Sequence, residues 1–277
     1  MLGPGRMGQG IAIALGATGH HVRLFGRGAS QVVPPLVLYP GTWHEATRGA
    51  HIVLVATPDG AIADAAEALR AGDAVGPNHA VLHLSGVLDR SALAALTPTG
   101  AALGSFHPLQ TVADATTAAA RLKGAWAGLE GDPGALEAGE RLAGWLGMRA
   151  VRLSADSKPL YHAAAVFVSN YTVALAAVAA RLAQTAGVPA DTADRIYHPL
   201  LAGTAENLQS SSPAVALTGP IARGDLETVR RHLSALAGDE RTLYRLLGLE
   251  TLALAREAGL EPDSADALER LLQSPPS

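Results

Sequence analysis

The first residues whose types and spacing could do chemistry are Gly3-Pro4-Gly5-Arg6-Met7-Gly8, which fit G-x-G-x-x-G and run straight into a helical pattern beginning near Gln9. Gly3 permits a tight turn, Gly5 lets the backbone approach a pyrophosphate, and Gly8 allows a helix to pack closely on a strand. The helix start then offers free N–H groups to the anion, with Arg6 and Met7 in the same loop. Only Met1 and Leu2 precede Gly3, whereas a first strand has about five residues. The strand is therefore a stub, or the recorded start lies downstream of the native one. Thr57-Pro58 and Ser85-Gly86 each follow an apolar strand pattern and fall at the carboxyl edge where such sheets bind ligands, so Thr57, Pro58 and Ser85 are further cofactor candidates.

The second strand pattern decides which dinucleotide. An NAD site places an Asp or Glu about 20 residues beyond the glycines, on the ribose 2′-hydroxyl. Here Leu24-Phe25 runs into Gly26-Arg27-Gly28-Ala29-Ser30, with no carboxylate. Arg27 suits a 2′-phosphate through charge-assisted bidentate contacts, and the expected cofactor is NADP. A solvated loop arginine is the alternative.

Two lysines, Lys123 and Lys158, stand against nineteen arginines. A lysine where arginine is so strongly preferred points to a job that arginine does badly, that of an ammonium able to lose a proton. On a helix Lys158, His162 and Ser169 share a face, a row that could donate a proton and polarise a carbonyl. The alternative is a solvated lysine beside a satisfied core histidine. His107, before Pro108 at a strand end, is a third catalytic candidate. Asn170, polar within an apolar helix, and Arg223, suited to a carboxylate, are substrate candidates with Ser169. The ten histidines show no metal-ligand spacing, and no metal is expected.

These groups need positioning. Apolar runs at Val22–Phe25, His51–Ala56, Ala80–Leu84, Ala102–Phe106, Ala125–Leu129 and Arg149–Leu153 read as strands. Gly8–Thr18, Ala61–Ala71 and Pro133–Leu146 read as the helices between them, a βαβ pattern. After Leu153 the strand signal stops. Ser157–Ala186, Ala190–Gln209, Asp225–Ala237, Glu240–Ala258 and Ser264–Gln273 read as helices, with Asp225 and Ser264 as N-caps and Gly187 and Gly259 as stops. The expected fold class is α/β: a Rossmann parallel sheet over residues 1–153 and an all-α domain over 154–277.

Hydrophobic residues make up 48% and charged residues 17%, enough to bury a core, and the net charge of −4 with scattered basic residues argues against nucleic acid or an anionic membrane surface as partner. The absence of cysteine excludes disulfides and thiolate chemistry. No signal-peptide pattern opens the sequence, and a cytoplasmic location is expected. Tyr161–Leu182 is apolar enough to imitate a membrane span, but His162, Ser169, Asn170 and Arg181 punctuate it. The expectation is a buried helix of a soluble domain, apolar beyond one monomer's need, and hence a homodimer through the C-terminal helices.

Taken together, the GPGRMG opening, Val55-Ala56-Thr57-Pro58-Asp59, Leu82-His83-Leu84-Ser85-Gly86 and Gly104-Ser105-Phe106-His107-Pro108-Leu109-Gln110 resemble a family of Rossmann-like proteins that carry a C-terminal helical domain of unknown function. Tyr161-His162-Ala163, Ser169-Asn170-Tyr171, Thr218-Gly219-Pro220 and Arg223-Gly224-Asp225 extend the likeness through the second domain. More distantly the chain is similar to the 6-phosphogluconate dehydrogenase superfamily, with its ketopantoate, pyrroline-carboxylate and β-hydroxyacid enzymes. The resemblance implies an NADP-dependent oxidoreductase reducing a small 2-oxo acid of the ketopantoate kind. Reduction of a cyclic imine, prephenate-type dehydrogenation and a non-catalytic dinucleotide sensor are the alternatives. The β-hydroxyacid dehydrogenases place a catalytic Lys and, four residues on, an Asn at the start of the equivalent helix. Here the fourth position is His162, so the acid is either Lys158 or His162.

Overall fold

A computed structural model describes residues 1–26 and 31–274, which form two compact units, Met1–Tyr171 and Thr172–Ser277. In the first unit the glycine-rich turn leads into α1 (Arg6–Ala17), followed by α2 (Trp43–Thr47), β1 (Ile52–Val55), α3 (Ile62–Ala71), β2 (Ala80–His83) and β3 (Ala102–Leu109). Then come α4 (Ala118–Leu122), β4 (Trp126–Gly131), α5 (Pro133–Trp145), β5 (Arg149–Arg152) and α6 (Lys158–Val168). The strands lie side by side in chain order. This is the expected Rossmann-like α/β architecture, with two differences.

The first difference is direction. β1, β2 and β3 pair in parallel, but β4 runs antiparallel to β3 before β5 pairs parallel with β4, so the sheet is mostly and not wholly parallel. The antiparallel register sets Ser105 opposite Glu130 and His107 opposite Gly128. The second difference lies at the other edge. Leu2 makes single parallel bridges to Phe25 and Val55, and Leu24 one to Leu38, so the expected strand Val22–Phe25 is reduced to isolated bridges. Leu2 nevertheless keeps the geometry of a first strand: its N–H donates to Leu54 O and its carbonyl accepts from Ala56 N–H.

Two apolar layers bury the sheet. Ile62, Ala66 and Leu69 of α3 cover Val53, Val55 and Val81, while Ile11 and Leu15 of α1 and Leu142 of α5 cover Leu54, Leu82 and Leu129. Burial of a Leu or Ile side chain contributes about 1.5–3 kcal/mol, so these layers fix where the strand ends sit.

The expected helix Ser157–Ala186 is broken at Ser169 into α6 and α7 (Asn170–Thr185), Ser169 serving as the C-cap of α6. The strand signal stops near Leu153 as expected, but the compact units divide at Tyr171, because α6 is tied to the sheet through Lys158. The remaining helices are α8 (Ala190–Ala193), α9 (His198–Ser210), α10 (Pro213–Ala216), α11 (Leu226–Ala235), α12 (Gly238–Glu257) and α13 (Pro262–Gln273). Ile221, Val229, Leu252, Leu268 and Leu272 form the core of the second unit. Asp225 caps α11 as expected, accepting from Thr228 N–H at 3.0 Å, and Gly187 and Gly259 take the left-handed conformation that stops a helix. Ser264 does not cap α13. Pro262, whose fixed φ suits a first turn, starts that helix two residues earlier.

The expectation of a buried helix over Tyr161–Leu182 is overturned. Ala155–Thr185 is long and apolar enough to cross a membrane, by length and composition, and 6% of its most apolar window is buried. Leu160, Phe167, Val168, Val173 and Leu175 are exposed. The apolar residues circle the helix axis, and a single packing partner covers only one side of such a helix.

Candidate active site

The glycine-rich turn has the geometry that dinucleotide binding requires. Gly3 has φ +103°, and a Cβ there would stand 2.5 Å from Ala56 O. A Cβ on Gly8 would collide with Gly3 O and meet Ala56 Cβ at 3.1 Å, so Gly8 is the close contact of helix on strand. Gly5 differs from both, because a Cβ there would meet nothing within 4 Å among the described residues. Its side opens on a cavity of about 500 Å³ lined by Gly5–Gly8, Ala56–Pro58 and Thr111–Ala113. A second cavity of about 190 Å³ continues past Gly3, Phe25, Gly26 and Pro58. The start of α1 carries no acidic side chain and no side-chain cap, which leaves its N–H groups to an anion. Thr57 Oγ1 is buried without a partner among the described residues at the wall of both cavities. Arg6 reaches across the mouth to Ala113 O at 3.4 Å. Met7 turns partly into the core beside Ile11. These residues fit the diphosphate of a dinucleotide. Arg27, expected at a 2′-phosphate, lies outside the described residues.

Along the same sheet edge the ends of β2 and β3 meet the start of α6. Lys158 is fully buried, and its ammonium donates to Ser105 Oγ at 2.7 Å and to Ser85 O at 3.2 Å. Burial lowers its pKa against the attraction of Glu130, Asp89 and Asp59. Ser105 Oγ stands 3.5 Å from Glu130 Oε2, which also accepts Arg90 N–H at 2.8 Å. Glu130 is buried, and that burial raises its pKa even though Lys158 and the Arg90 amide favour its charge. A polar chain of ammonium, hydroxyl and carboxylate therefore runs beneath the sheet edge, joining α6, β3 and β4.

One turn further along α6, His162 faces His107 across Gly86. The rings meet edge to face with centroids 5.5 Å apart, and Tyr161 packs on His107 in the same manner at 5.7 Å. A Cβ on Gly86 would run into His162 Nδ1 and stand 2.8 Å from His107 Nε2, so the rings approach as they do because position 86 is glycine. His107 Nδ1 and His162 Nδ1 are buried without a partner among the described residues. Burial lowers the His107 pKa to about 4, with the nearby His162 and Lys158 adding to the shift and Asp59 opposing it.

The structure thus brings Lys158, His162, His107 and Ser85 together. Ser85 has no free hydroxyl: its Oγ donates to Asp59 at 2.9 Å and accepts from Leu88 N–H at 3.0 Å. Asn170, expected as a buried amide, is exposed at the start of α7, and Ser169 sits in the bend before it. Arg223 belongs to the second unit, in the turn ahead of α11. Sequence reasoning missed Ser105, Glu130 and the spacing role of Gly86. An acidic residue closing the apolar strand pattern of β4 was the available signal for Glu130, but its partner becomes visible only through the antiparallel register.

Residues 125–251 match the model of a domain of unknown function, DUF2520. No curated protein matches the chain. By fold the chain is similar to protein TM1727 of Thermotoga maritima, at 22% identity and TM-score 0.67 over 92% of this chain and 97% of that one. It is also similar to the pyrroline carboxylate reductase of Plasmodium falciparum with NADP bound (11%, TM-score 0.57, 98% and 95% covered). A third similar structure is the reductive aminase of Aspergillus terreus with NADPH and ethyl levulinate (20%, TM-score 0.58, 98% and 90% covered).

Proposed function

We propose that the chain is an NADP-dependent reductase of a small 2-oxo acid of the ketopantoate kind. The observation that carries the reading is the open side of Gly5: the one glycine of the motif whose Cβ would meet nothing among the described residues faces a cavity walled by a helix start and the Thr57 hydroxyl, which has no partner among them. Gly3, Gly5, Gly8 and the α1 amides would hold the diphosphate, with Arg6, Met7, Thr57 and Pro58 along the wall and Arg27 at the 2′-phosphate. The bound nicotinamide supplies the hydride. The substrate lies at the His107–His162–Lys158 cluster, which polarises the bond to be reduced and provides the proton, and Ser169 and Asn170 are the reserve of groups for its carboxylate. A cyclic imine is the second reading, favoured by the two fold neighbours that are a pyrroline carboxylate reductase and a reductive aminase.

The exposed apolar surface of α7 supports a homodimer built through the second unit, in a cytoplasmic protein. The polar residues spaced along α6 and α7, and the Arg181–Glu240 ion pair at 3.4 Å, favour a protein partner for this surface over lipid. The functional test is NADPH oxidation with pyruvate, ketopantoate and 1-pyrroline. Turnover of an oxo acid supports the first reading, and turnover of 1-pyrroline alone selects the second. NADPH binding without turnover of any compound would indicate a dinucleotide sensor.

A further inference from the structure

Three groups at this edge could give a substrate its proton, and their surroundings differ in one decisive respect. The Lys158 ammonium is sealed from solvent and already bound to Ser85 O and Ser105 Oγ. The two imidazoles are only partly covered, and each keeps a buried nitrogen without a partner among the described residues. A buried polar atom left unpaired is costly, so such atoms at one place mark a site that a ligand or a ring rotation completes. Gly86 brings the pair together, since its missing Cβ is what lets His162 Nδ1 and His107 Nε2 close on the same point.

We propose, resting on the reductase reading, that His107 and His162 together are the groups that touch the carbonyl or imine of the substrate, and that Lys158 is a positioning residue. The lysine holds the Ser85–Gly86 turn and the start of α6 against β3, which fixes the distance between the two rings. His162 rides on α6 one turn beyond the lysine, and His107 stands two residues beyond Ser105 on β3, so the two lysine hydrogen bonds anchor both carriers. The groups facing His107 are His162 and Lys158 from α6, Asp59 from the turn after β1, and the Tyr161 ring. Burial among them keeps His107 uncharged at neutral pH, and a neutral imidazole polarises a carbonyl by donating a hydrogen bond without surrendering its proton. In the reduction, hydride adds to the carbon of C=O or C=N. The π electrons pass to the oxygen or nitrogen, and that atom takes one proton delivered through His162 from solvent.

The test compares Lys158→Gln with His162→Ala and His107→Ala in the full-length protein, with NADPH and whichever of pyruvate, ketopantoate or 1-pyrroline turns over. A glutamine amide can donate to Ser85 O and Ser105 Oγ but carries no transferable proton. Lys158→Gln is expected to keep kcat within about tenfold, while each histidine change lowers it by about 10²-fold or more with little change in NADPH affinity. A hundredfold loss in Lys158→Gln with both histidine variants near the wild-type rate overturns the assignment. If none of the compounds turns over, the reductase reading fails, and the pair is judged by NMR titration of the histidine rings. His162→Gln should then raise the His107 pKa, and an ordinary His107 pKa unmoved by that change overturns the pairing. Gly86→Ala is the control for geometry: it should disturb the His107 titration while Lys123→Ala leaves it in place.

Discussion

Replacing Lys158 by methionine probes the polar chain beneath the sheet edge, and the structure supplies the magnitude. The change removes an ammonium that donates at 2.7 Å to Ser105 Oγ and at 3.2 Å to Ser85 O, in a position with no exposure. Leaving a buried acceptor unpaired costs about 1–3 kcal/mol, and breaking a buried charge pair costs about 3–5 kcal/mol. Two effects oppose these losses. The desolvation of the lysine disappears, and Ser105 can turn its hydroxyl wholly to Glu130. A net loss of about 3 kcal/mol at neutral pH follows. The loss should also depend on pH, with a definite sign. Without the lysine, the folded-state pKa of Glu130 rises further above its unfolded value of about 4.5. The unfolded chain then releases that proton at a lower pH than the folded one, so the variant loses stability as pH rises through the window above 4.5. Urea unfolding followed by tryptophan fluorescence suits the measurement, because Trp43, Trp126 and Trp145 all belong to the first unit. The difference from wild type should be smaller at pH 5.5 than at pH 8, and Glu130→Gln in the same chain should recover part of it. A difference below about 1 kcal/mol at both pH values, or a larger one at the lower pH, refutes the buried chain.

The glycines of the motif should separate cleanly. Gly8→Ala should destabilise by about 1–3 kcal/mol because its Cβ strikes Gly3 O, whereas Gly5→Ala should leave the urea midpoint unchanged and weaken NADPH binding at least tenfold. Acid should destabilise the first unit in a fixed window. Burial holds His83 and His107 at pKa values of about 4, so the unfolded chain binds more protons between about pH 6.5 and 4, and stability present above 6.5 is lost as pH falls to 4. His83→Asn should flatten that loss, as measured by urea midpoints across the range. Light scattering at tens of micromolar should give a dimer, and Val173→Asp, on the exposed face of α7, should shift it toward monomer.

Much of the first unit was legible because its signals are local. Leu82 and Val53 sit in short apolar runs, and the glycine spacing before α1 states its own turn chemistry. The offset of four between Lys158 and His162 correctly placed both on the face of α6 that meets Ser85 and Gly86. What could not be read depends on pairing between distant strands. Ser105 and Glu130 are 25 residues apart and face each other only because β4 reverses direction. Asn170 looked buried because its neighbours are apolar, yet they too are exposed in the single chain, and composition alone does not say what covers a helix.

The central claim is that the cavity beside Gly5 binds NADP, and calorimetric titration of the full-length protein tests it most directly. NADPH should bind at least tenfold more tightly than NADH, a difference of about 1.4 kcal/mol or more. Arg27→Asp should erase or reverse that preference, and Gly5→Ala should weaken both cofactors without unfolding the chain. Equal affinities for NADPH and NADH in the wild type, or NADPH binding untouched by Gly5→Ala, would contradict the account.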